Sequence, residues 1–421
     1  MKIKKFKKIE IYKKKNKINI KFVNHKFGAL RKNYVRVKMK YSNLNYKDIL
    51  TCEGAPYIGG AEIALQHITE NLPMYEFDIV TVDLEGGHKK EEHDNNVHIY
   101  RVGRGKLGKI LFPLRAFIKG VLLHRRFKYD LVWSMMASYA GFAGLFFSYT
   151  FPQIPFVLTL QEGDTHEELK KKFRFVSPIF KKVFTRPSII QAISTYLEKF
   201  ASSMGAQHTV VVPNGVEVAL FEQKDESLIN QIRNEYGIDD GFVLVTTSRL
   251  VRKNAVGDIV SAVALLPEDT KLLIVGNGNE RSYLEDAVRN KGLEDRVFFV
   301  GEKRPEDIIP YLHCADVFIR PSLSEGFGNS FIEAMATKTP VIATPVGGIV
   351  DFLVDNKTGL LCKVQNPQSI AEKVTYIRQH QDEKENIIEN AYQLVKEKYD
   401  WSIISRKMQT DVFEVVLKDG S

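Results

Sequence analysis

Two glutamates, Glu325 and Glu333, stand with seven residues between them in the stretch SEGFGNSFIEA, residues 324–334. A pair of carboxylates flanking a Gly-Phe-Gly turn and the start of a helix can bind hydroxyls, or can serve the backbone. Ser330-Phe331-Ile332-Glu333 fits a capping box, in which Ser330 is the N-cap and Glu333 reaches back to it. Glu333 would also offset the helix dipole. Glu325 lies before the glycines and has no such local explanation. A second chemical group is cationic: SRLVRKN presents Arg249 and Lys253, a pairing suited to a diphosphate, with Arg252 read as solvated. Glycine turns supply a third group: Gly59-Gly60 in EGAPYIGGAE, Gly276 and Gly278 in VGNGNE, and Gly347-Gly348 in TPVGGIV. Turns of this kind let backbone N–H groups approach an anion, or are plain tight turns. No Asp-x-Asp occurs and no His/Cys cluster has metal spacing. A bound diphosphate is therefore expected to be neutralised by Arg249, Lys253 and helix N-termini rather than by a divalent ion.

These residues need a frame. A chain of 421 residues is too long for one core and predicts two domains. From residue 46, short β-branched runs alternate with helical patterns, the rhythm of a doubly wound parallel sheet. Strands are expected at Asp48–Cys52, Phe77–Val82, Val97–Arg101, Leu131–Ser134, Pro155–Leu160, Ser188–Ala192 and Thr209–Val212. Helices are expected at Ala61–Asn71 and Ile110–Arg126. Pro213-Asn214-Gly215 breaks the series with strong turn chemistry. A second series follows, with strands at 242–248, 271–276, 297–301, 315–321 and 340–344 and helices starting near Asn254, Asn279, Pro305 and Gly328. The fold class read from this is α/β: two Rossmann-like domains across a deep cleft, at residues 46–213 and 214–399. The amphipathic stretch at 399–417 is expected to cross back to the amino-terminal domain. Each chemical group above follows a strand, where such sheets bind ligands.

The net charge of +9 is unevenly placed. Residues 1–45 hold sixteen Lys/Arg and one acid, Glu10, whereas the remainder holds 44 basic and 50 acidic side chains. The body is mildly acidic and the basicity belongs to an amino-terminal extension. That run suits anionic lipid head groups or nucleic acid, or is a solvated, poorly ordered arm. No apolar h-region follows the lysines, so a signal peptide is not expected. The longest apolar stretch, residues 135–151, reads as a core helix of an α/β domain ahead of an interfacial segment. Three cysteines, Cys52, Cys314 and Cys362, without metal spacing, fit a reduced cytosolic protein.

The constellation resembles the retaining glycosyltransferases of family 4, which have the GT-B fold. The resemblance covers roughly residues 46–418 and is carried by Glu325-x7-Glu333 with Gly326-Phe327-Gly328, by the run EAMATKTPVIATPVGGIVDFLVDNKTGLL, by PNGV at 213–216 and by SRLV at 248–251. It implies that Arg249 and Lys253 hold the donor diphosphate and that Glu333 holds the ribose hydroxyls. It implies that Glu325, with the backbone of Phe327, Gly328 and Asn329, contacts the donor sugar and distal phosphate, and that Gly60, after Gly59, lies against the diphosphate from the opposite domain. Catalysis would rest on Glu325, Arg249 and Lys253, without a cofactor and without a metal, a UDP- or GDP-linked sugar being the co-substrate. Many members carry a histidine before the acceptor loop; VLTLQEGD puts Gln161 there, with Glu162 and Asp164 following, so Gln161 and Asp164 stand for the acceptor side, the neutral Gln161 only as a hydrogen-bonding group and not as a base. The implied activity is transfer of a sugar to the hydroxyl of a glycan or lipid-linked acceptor, with retention. A nucleotide-sugar epimerase of the same fold, and a non-catalytic nucleotide-sugar-binding protein, are the other readings. Nucleic acid is not an expected partner, the body being acidic and without a recognition motif. Basic residues around Lys106–Lys128, interleaved with Leu107, Ile110, Leu111, Leu114, Phe117 and Leu122, suggest an anionic membrane surface, or an ordinary amphipathic helix on a sheet. The expected location is cytoplasmic, peripheral on the membrane face where lipid-linked acceptors reside.

Overall fold

The computed structural model describes residues 60–84, 86–163, 171 and 177–418, and the backbone of three strands nearer the amino terminus. The expected strand at 48–52, the turn residue Gly59 and the acceptor-side Asp164 lie outside the described residues.

Those first strands are β1 (Phe6–Lys14), β2 (Lys17–His25) and β3 (Tyr41–Ser42). β1 and β2 pair antiparallel from Phe6↔His25 to Lys14↔Lys17, so backbone pairing exists where composition suggested a poorly ordered arm. β3 pairs parallel with Ser134 and Met135, so sheet pairing reaches into the stretch assigned to the extension.

The amino-terminal half continues with helix α1 (Gly60–Glu70), then strands β4 (Phe77–Asp83), β5 (Glu91–Asp94) and β6 (Val97–Arg104). Helix α2 (Gly105–Phe127), strand β7 (Val132–Met135), helix α3 (Tyr139–Thr150) and strands β8 (Phe156–Leu160), β9 (Ile189–Ala192) and β10 (Thr209–Val211) complete it. A parallel sheet runs β10-β9-β8-β7-β3, and a smaller one runs β4-β6-β5 with β5 antiparallel. β7, β8 and β9 are buried along their whole length, which is why they read as continuous apolar runs rather than alternating ones. β5 is exposed and wholly polar, EEHD, and carries no such signal. The apolar stretch at 135–151 is the core helix α3, burying Ala140, Ala143, Leu145 and Phe147. Among the described residues no helix is long and apolar enough to cross a membrane.

The carboxyl-terminal half is built on β11 (Phe242–Thr247), β12 (Thr270–Val275), β13 (Val297–Gly301), β14 (Val317–Arg320), β15 (Val341–Ala343) and β16 (Leu360–Leu361). These form one parallel sheet ordered β13-β12-β11-β14-β15-β16. Strand order reverses between β11 and β14, where Leu244 pairs Val317, and a crevice at the carboxyl ends of such neighbours is the binding position of this architecture. Helices begin at Val256, Arg281, Ile309 and Asn329, close to the expected starts.

The final helix returns to the first half. Trp401, Ile404, Met408, Val412, Phe413 and Val416 are buried in one core with Leu65, Phe77, Trp133 and Val157. Trp401 stacks on His67 at 5.0 Å and Phe413 meets Trp133 edge-on at 5.0 Å. The run is α-helical at Trp401–Lys407, turns through a π-helical segment at Met408–Phe413 and resumes at Glu414–Lys418; the widened turn shifts the face that Val412 and Phe413 present. The crossing lies beside the linker. Val216 N–H donates to Tyr399 O at 2.8 Å and Trp401 N–H donates to Val216 O at 3.2 Å. A Cβ on Gly215 would stand 2.8 Å from Tyr399 O and 2.9 Å from the Trp401 ring, so close chain approach demands a glycine there, beyond the turn chemistry of PNGV.

Candidate active site

The donor-side residues converge at the strand-order reversal. Arg249 follows β11, Gly276 follows β12, and Glu325 and Glu333 follow β14. One cleft of about 190 Å³ is lined by Arg249, Gly276, Lys303, Ser330 and Glu333 on one side and by Ile63 of α1 on the other. Thr247 and Ser248 border the same cleft, and their buried hydroxyl oxygens have no hydrogen-bond partner. Gly276 adopts φ +142°, where a Cβ would fall 1.9 Å from Ser248 O. This glycine is needed for packing two strand ends together at the cleft wall.

The expected capping box does not form. The helix starts at Asn329, its N-cap is Gly328 at φ +94°, and no side chain caps it. Ser330 sits inside the first turn, and its Oγ accepts a 2.7 Å bond from Arg320 Nη1. Glu333 is thereby free of the cap and borders the cleft. Burial pushes its carboxyl up to about 7, against the pull of Arg320, so its ionisation falls within the range where enzymes work.

Glu325 is buried, with 8% of its surface exposed. Its Oε2 accepts a 2.6 Å bond from Arg320 Nη2, and its Oε1 accepts from Gly326 N–H at 3.2 Å. Arg320 is the functional residue that sequence reasoning missed. Its Nη2 also donates to Asn254 Oδ1 at 3.3 Å, and Asn254 Nδ2 donates to Arg249 O at 2.7 Å. One guanidinium thus ties the Glu325 loop, the helix from Asn329 and the Arg249–Lys253 turn. The available signal was a lone cation ending an otherwise apolar parallel strand, VFIR. Gly347-Gly348, read from the sequence as a glycine-rich turn, supports Glu325: Gly348 N–H donates to Glu325 O at 3.1 Å. At Gly347 φ is +57° and a Cβ would lie 1.8 Å from that same oxygen.

Residues of the amino-terminal half close over this wall. Lys253 Nζ donates to Gly163 O at 2.8 Å, and Ser324 Oγ donates to the same oxygen at 3.3 Å. Lys253 and Glu325 therefore both front the backbone at Gly163. Arg249 and Arg252 are exposed. Gln161 exchanges two amide bonds with Asn214, at 2.9 and 3.0 Å, and Asn214 Nδ2 donates to Asn329 Oδ1 at 3.1 Å. Asn329 Nδ2 is buried without a partner. It lies 3.4 Å from where a Cβ on Gly60 would be, so the first turns of α1 and of the Asn329 helix face each other across the cleft. Phe327 is core, its ring packed on Phe352 and Tyr399, which leaves only its backbone for a ligand. Glu162, next to Gln161, is buried and accepts from Ala137 N–H at 2.5 Å and Gln161 N–H at 3.0 Å, a loop-holding role. Among the described residues no group of three or more His, Cys, Asp or Glu could hold a metal ion.

Comparison with known proteins identifies the family and the fold. Residues 229–394 match the model described as Glycosyl transferases group 1, and residues 58–220 match Glycosyltransferase Family 4. The chain is 30% identical over 308 residues, 72% of its length and 75% of the relative's, to TuaC of Bacillus subtilis, named as a teichuronic acid biosynthesis glycosyltransferase. It is 24% identical over 371 residues, 83% of its length and 93% of the relative's, to the capsular polysaccharide biosynthesis glycosyltransferase CapM of Staphylococcus aureus. In fold it is similar to sucrose-phosphate synthase from Thermosynechococcus elongatus, with a TM-score of 0.78, 22% identity and coverage of 90% of this chain and 99% of that one. The chain belongs to glycosyltransferase family 4, the glycosyl transferases group 1, and is a glycosyltransferase of the GT-B fold.

Proposed function

We propose that this enzyme transfers a sugar from a UDP- or GDP-linked donor to the hydroxyl of a glycan or lipid-linked acceptor, with retention at the anomeric carbon and without a metal ion. The observation that carries the reading is the placement of Glu333 and Arg249 on one cleft at the strand-order reversal, with Glu325 fixed beside it. Glu333 takes the ribose diol, since an ionised carboxylate accepts two hydrogen bonds from neighbouring hydroxyls. Arg249, Lys253 and the N–H groups at Gly328–Ser330 neutralise the diphosphate. As the bond from the anomeric carbon to the diphosphate oxygen breaks, negative charge grows on the leaving group, where these fixed donors stabilise it. The acceptor oxygen bonds to the same face of the sugar, and its proton passes to the departing phosphate oxygen. Glu325 orients the donor sugar rather than attacking it, a role supported by the guanidinium and N–H group already bonded to its two oxygens.

Relatives named for teichuronic acid and capsular polysaccharide synthesis favour a polysaccharide precursor as acceptor. Such acceptors are presented at the cytoplasmic face of a membrane, and a peripheral, cytoplasmic enzyme follows. Gln161, paired with Asn214, and Asp164 are the acceptor-side groups of this reading. Thermal unfolding with UDP, GDP, ADP and their sugars tests it. A saturating nucleotide at about 100 times its Kd stabilises by about 2.7 kcal/mol; that shift is expected for one base and is lost in Glu333→Ala. If Glu333→Ala binds nucleotide as the parent does, the ribose assignment is wrong.

A further inference from the structure

Helix α2 is apolar on two opposite faces. One face packs on the sheet, burying Phe112, Ala116, Gly120 and Leu123. The other carries Leu107, Ile110, Leu114, Ile118 and Leu122, which recur every three or four residues as a single stripe. All are exposed, Leu107 to 66%, Ile110 to 62% and Leu122 to 58%. A helix folded only onto its own domain would put polar side chains on that outer stripe. The helix has no acidic residue in its 23 positions, and Lys106, Arg115, Arg125 and Arg126 are exposed along it.

The surface extends onto neighbouring helices. Phe117 of α2 meets Phe146 of α3 edge-on at 6.2 Å. Phe146 and Tyr149, one turn apart, are exposed to 36% and 53%. Lys182 and Arg186 lie over the Tyr149 ring at 5.8 and 5.5 Å. Aliphatic side chains outward, cations at the flanks and an amphipathic aromatic ring at the edge are the composition of a helix lying in a bilayer interface. Contiguous exposed apolar area of this kind marks a contact surface. Contact between two copies of the stripe would bring basic flanks against basic flanks, which disfavours self-association. Anionic head groups complement them.

We infer that the outer face of α2, continued by Phe146 and Tyr149, seats the enzyme on an anionic phospholipid bilayer. This deepens the proposed transfer to a lipid-linked acceptor and rests on that reading for its purpose. α2 leaves the carboxyl end of β6, and Gly108 packs against Val82 near the end of β4. The first turns of the helix thus stand at the carboxyl ends of the parallel strands β4 and β6, the end at which such sheets bind ligands, so a seated enzyme would hold that end at the membrane surface.

Co-sedimentation of the full chain with vesicles tests the inference, using equimolar phosphatidylglycerol and phosphatidylcholine against phosphatidylcholine alone. Binding is expected to the anionic vesicles, weaker by about tenfold or more on neutral ones. The triple variant Ile110→Ser, Leu114→Ser, Ile118→Ser changes exposed positions only. It should lose vesicle binding by about tenfold or more while keeping its unfolding temperature and its nucleotide-induced shift. No binding by the parent, or undiminished binding by the triple variant, overturns the inference. A concentration-dependent dimer that the variant abolishes, with no vesicle binding, assigns the face to self-association and also overturns it. Nucleotide shift is read on the same samples. Vesicle binding without any shift would sink the transfer reading and leave the surface standing, whereas a shift without vesicle binding would do the reverse.

Discussion

Replacing Arg320 with methionine would remove a cation while keeping most of its apolar volume. The ion pair it makes with Glu325 is 2.6 Å long, and the two side chains are only 13% and 10% exposed. Breaking a buried pair by deleting one partner costs about 3–5 kcal/mol, because the remaining charge stays buried without compensation. Two features hold the expected loss near the lower end. Gly326 N–H already bonds Glu325 Oε1, and the Lys253 ammonium fronts the same backbone at Gly163. Loss of the bonds to Ser330 and Asn254 adds about 1 kcal/mol each, some of it recovered by water. Arg320→Met is therefore expected to lower stability by about 3–4 kcal/mol, measured as the shift in urea midpoint at constant slope. The discriminating measurement is the double variant Arg320→Met, Glu325→Gln. Removing the orphaned charge should restore about 2 kcal/mol or more relative to Arg320→Met alone. A second readout follows from Glu333, whose carboxyl Arg320 pulls down: in Arg320→Met the pH midpoint of nucleotide binding should move upward. A loss under about 1 kcal/mol, together with a double variant no better than the single one, would show that Arg320 is an ordinary surface-type cation and not the tie between the donor-site loops.

Three further outcomes are expected. Glu333, raised from its ordinary 4.5 to about 7, binds a diol best when ionised, so nucleotide affinity should fall as pH drops through about 7, and calorimetric titration of Glu333→Gln should show that dependence removed. Since the folded-state value lies above the unfolded one, its stability contribution is fully present below about 4.5 and is lost as pH rises through about 7. Glu333→Gln should thus gain on the parent by at most about 3 kcal/mol between pH 5 and pH 8, a difference readable in urea midpoints. Gly347→Ala meets Glu325 O at 1.8 Å in a left-handed conformation, whereas Gly86→Ala is left-handed at φ +83° with nothing within 4 Å; the former should cost about 3 kcal/mol or more and the latter about 1 kcal/mol, by thermal unfolding. Deleting residues 1–40, which hold all sixteen basic side chains of the extension and leave β3 in place, should weaken binding to the anionic vesicles at low salt, and unchanged binding would show that the extension takes no part.

Much of the carboxyl-terminal half was legible because its signals are local. Buried parallel strands such as FVLVTT and TKLLIV read as continuous apolar runs, and turn residues mark their ends. The site was legible where chemistry needs rare spacing, as with Glu325 and Glu333. It was misread where a local rule and a tertiary contact compete for the same atom. Ser330 satisfies the capping pattern, but Arg320, ten residues upstream, takes its hydroxyl, and Gly328 takes the N-cap. Gly347 reads from the sequence only as part of a glycine-rich turn, and the structure adds that a Cβ there would meet Glu325 O. Other features had no sequence signal to find. β5 is entirely polar, and the burial of Arg320 depends on β15 and β11 lying on either side of it. The outer stripe of α2 was visible as a pattern, but only the structure separates it from the inner stripe, since the sequence is apolar on both.

The linker and the returning helix cross at one place, Val216 against Tyr399 and Trp401, and this has a mechanical consequence. Two chain passages hydrogen-bonded side by side would act as a hinge pin, favouring rotation of the halves about the crossing over sliding. Contacts then matter by their distance from the pin. Asn214, adjacent to the pin, travels little, so its bond to Asn329 can persist through opening. Lys253 to Gly163 and Thr195 to Asp351 bridge the same two halves, and an opening rotation about the crossing would part them. The ammonium freed from Gly163 on opening would be the same one that a diphosphate recruits in the proposed reaction.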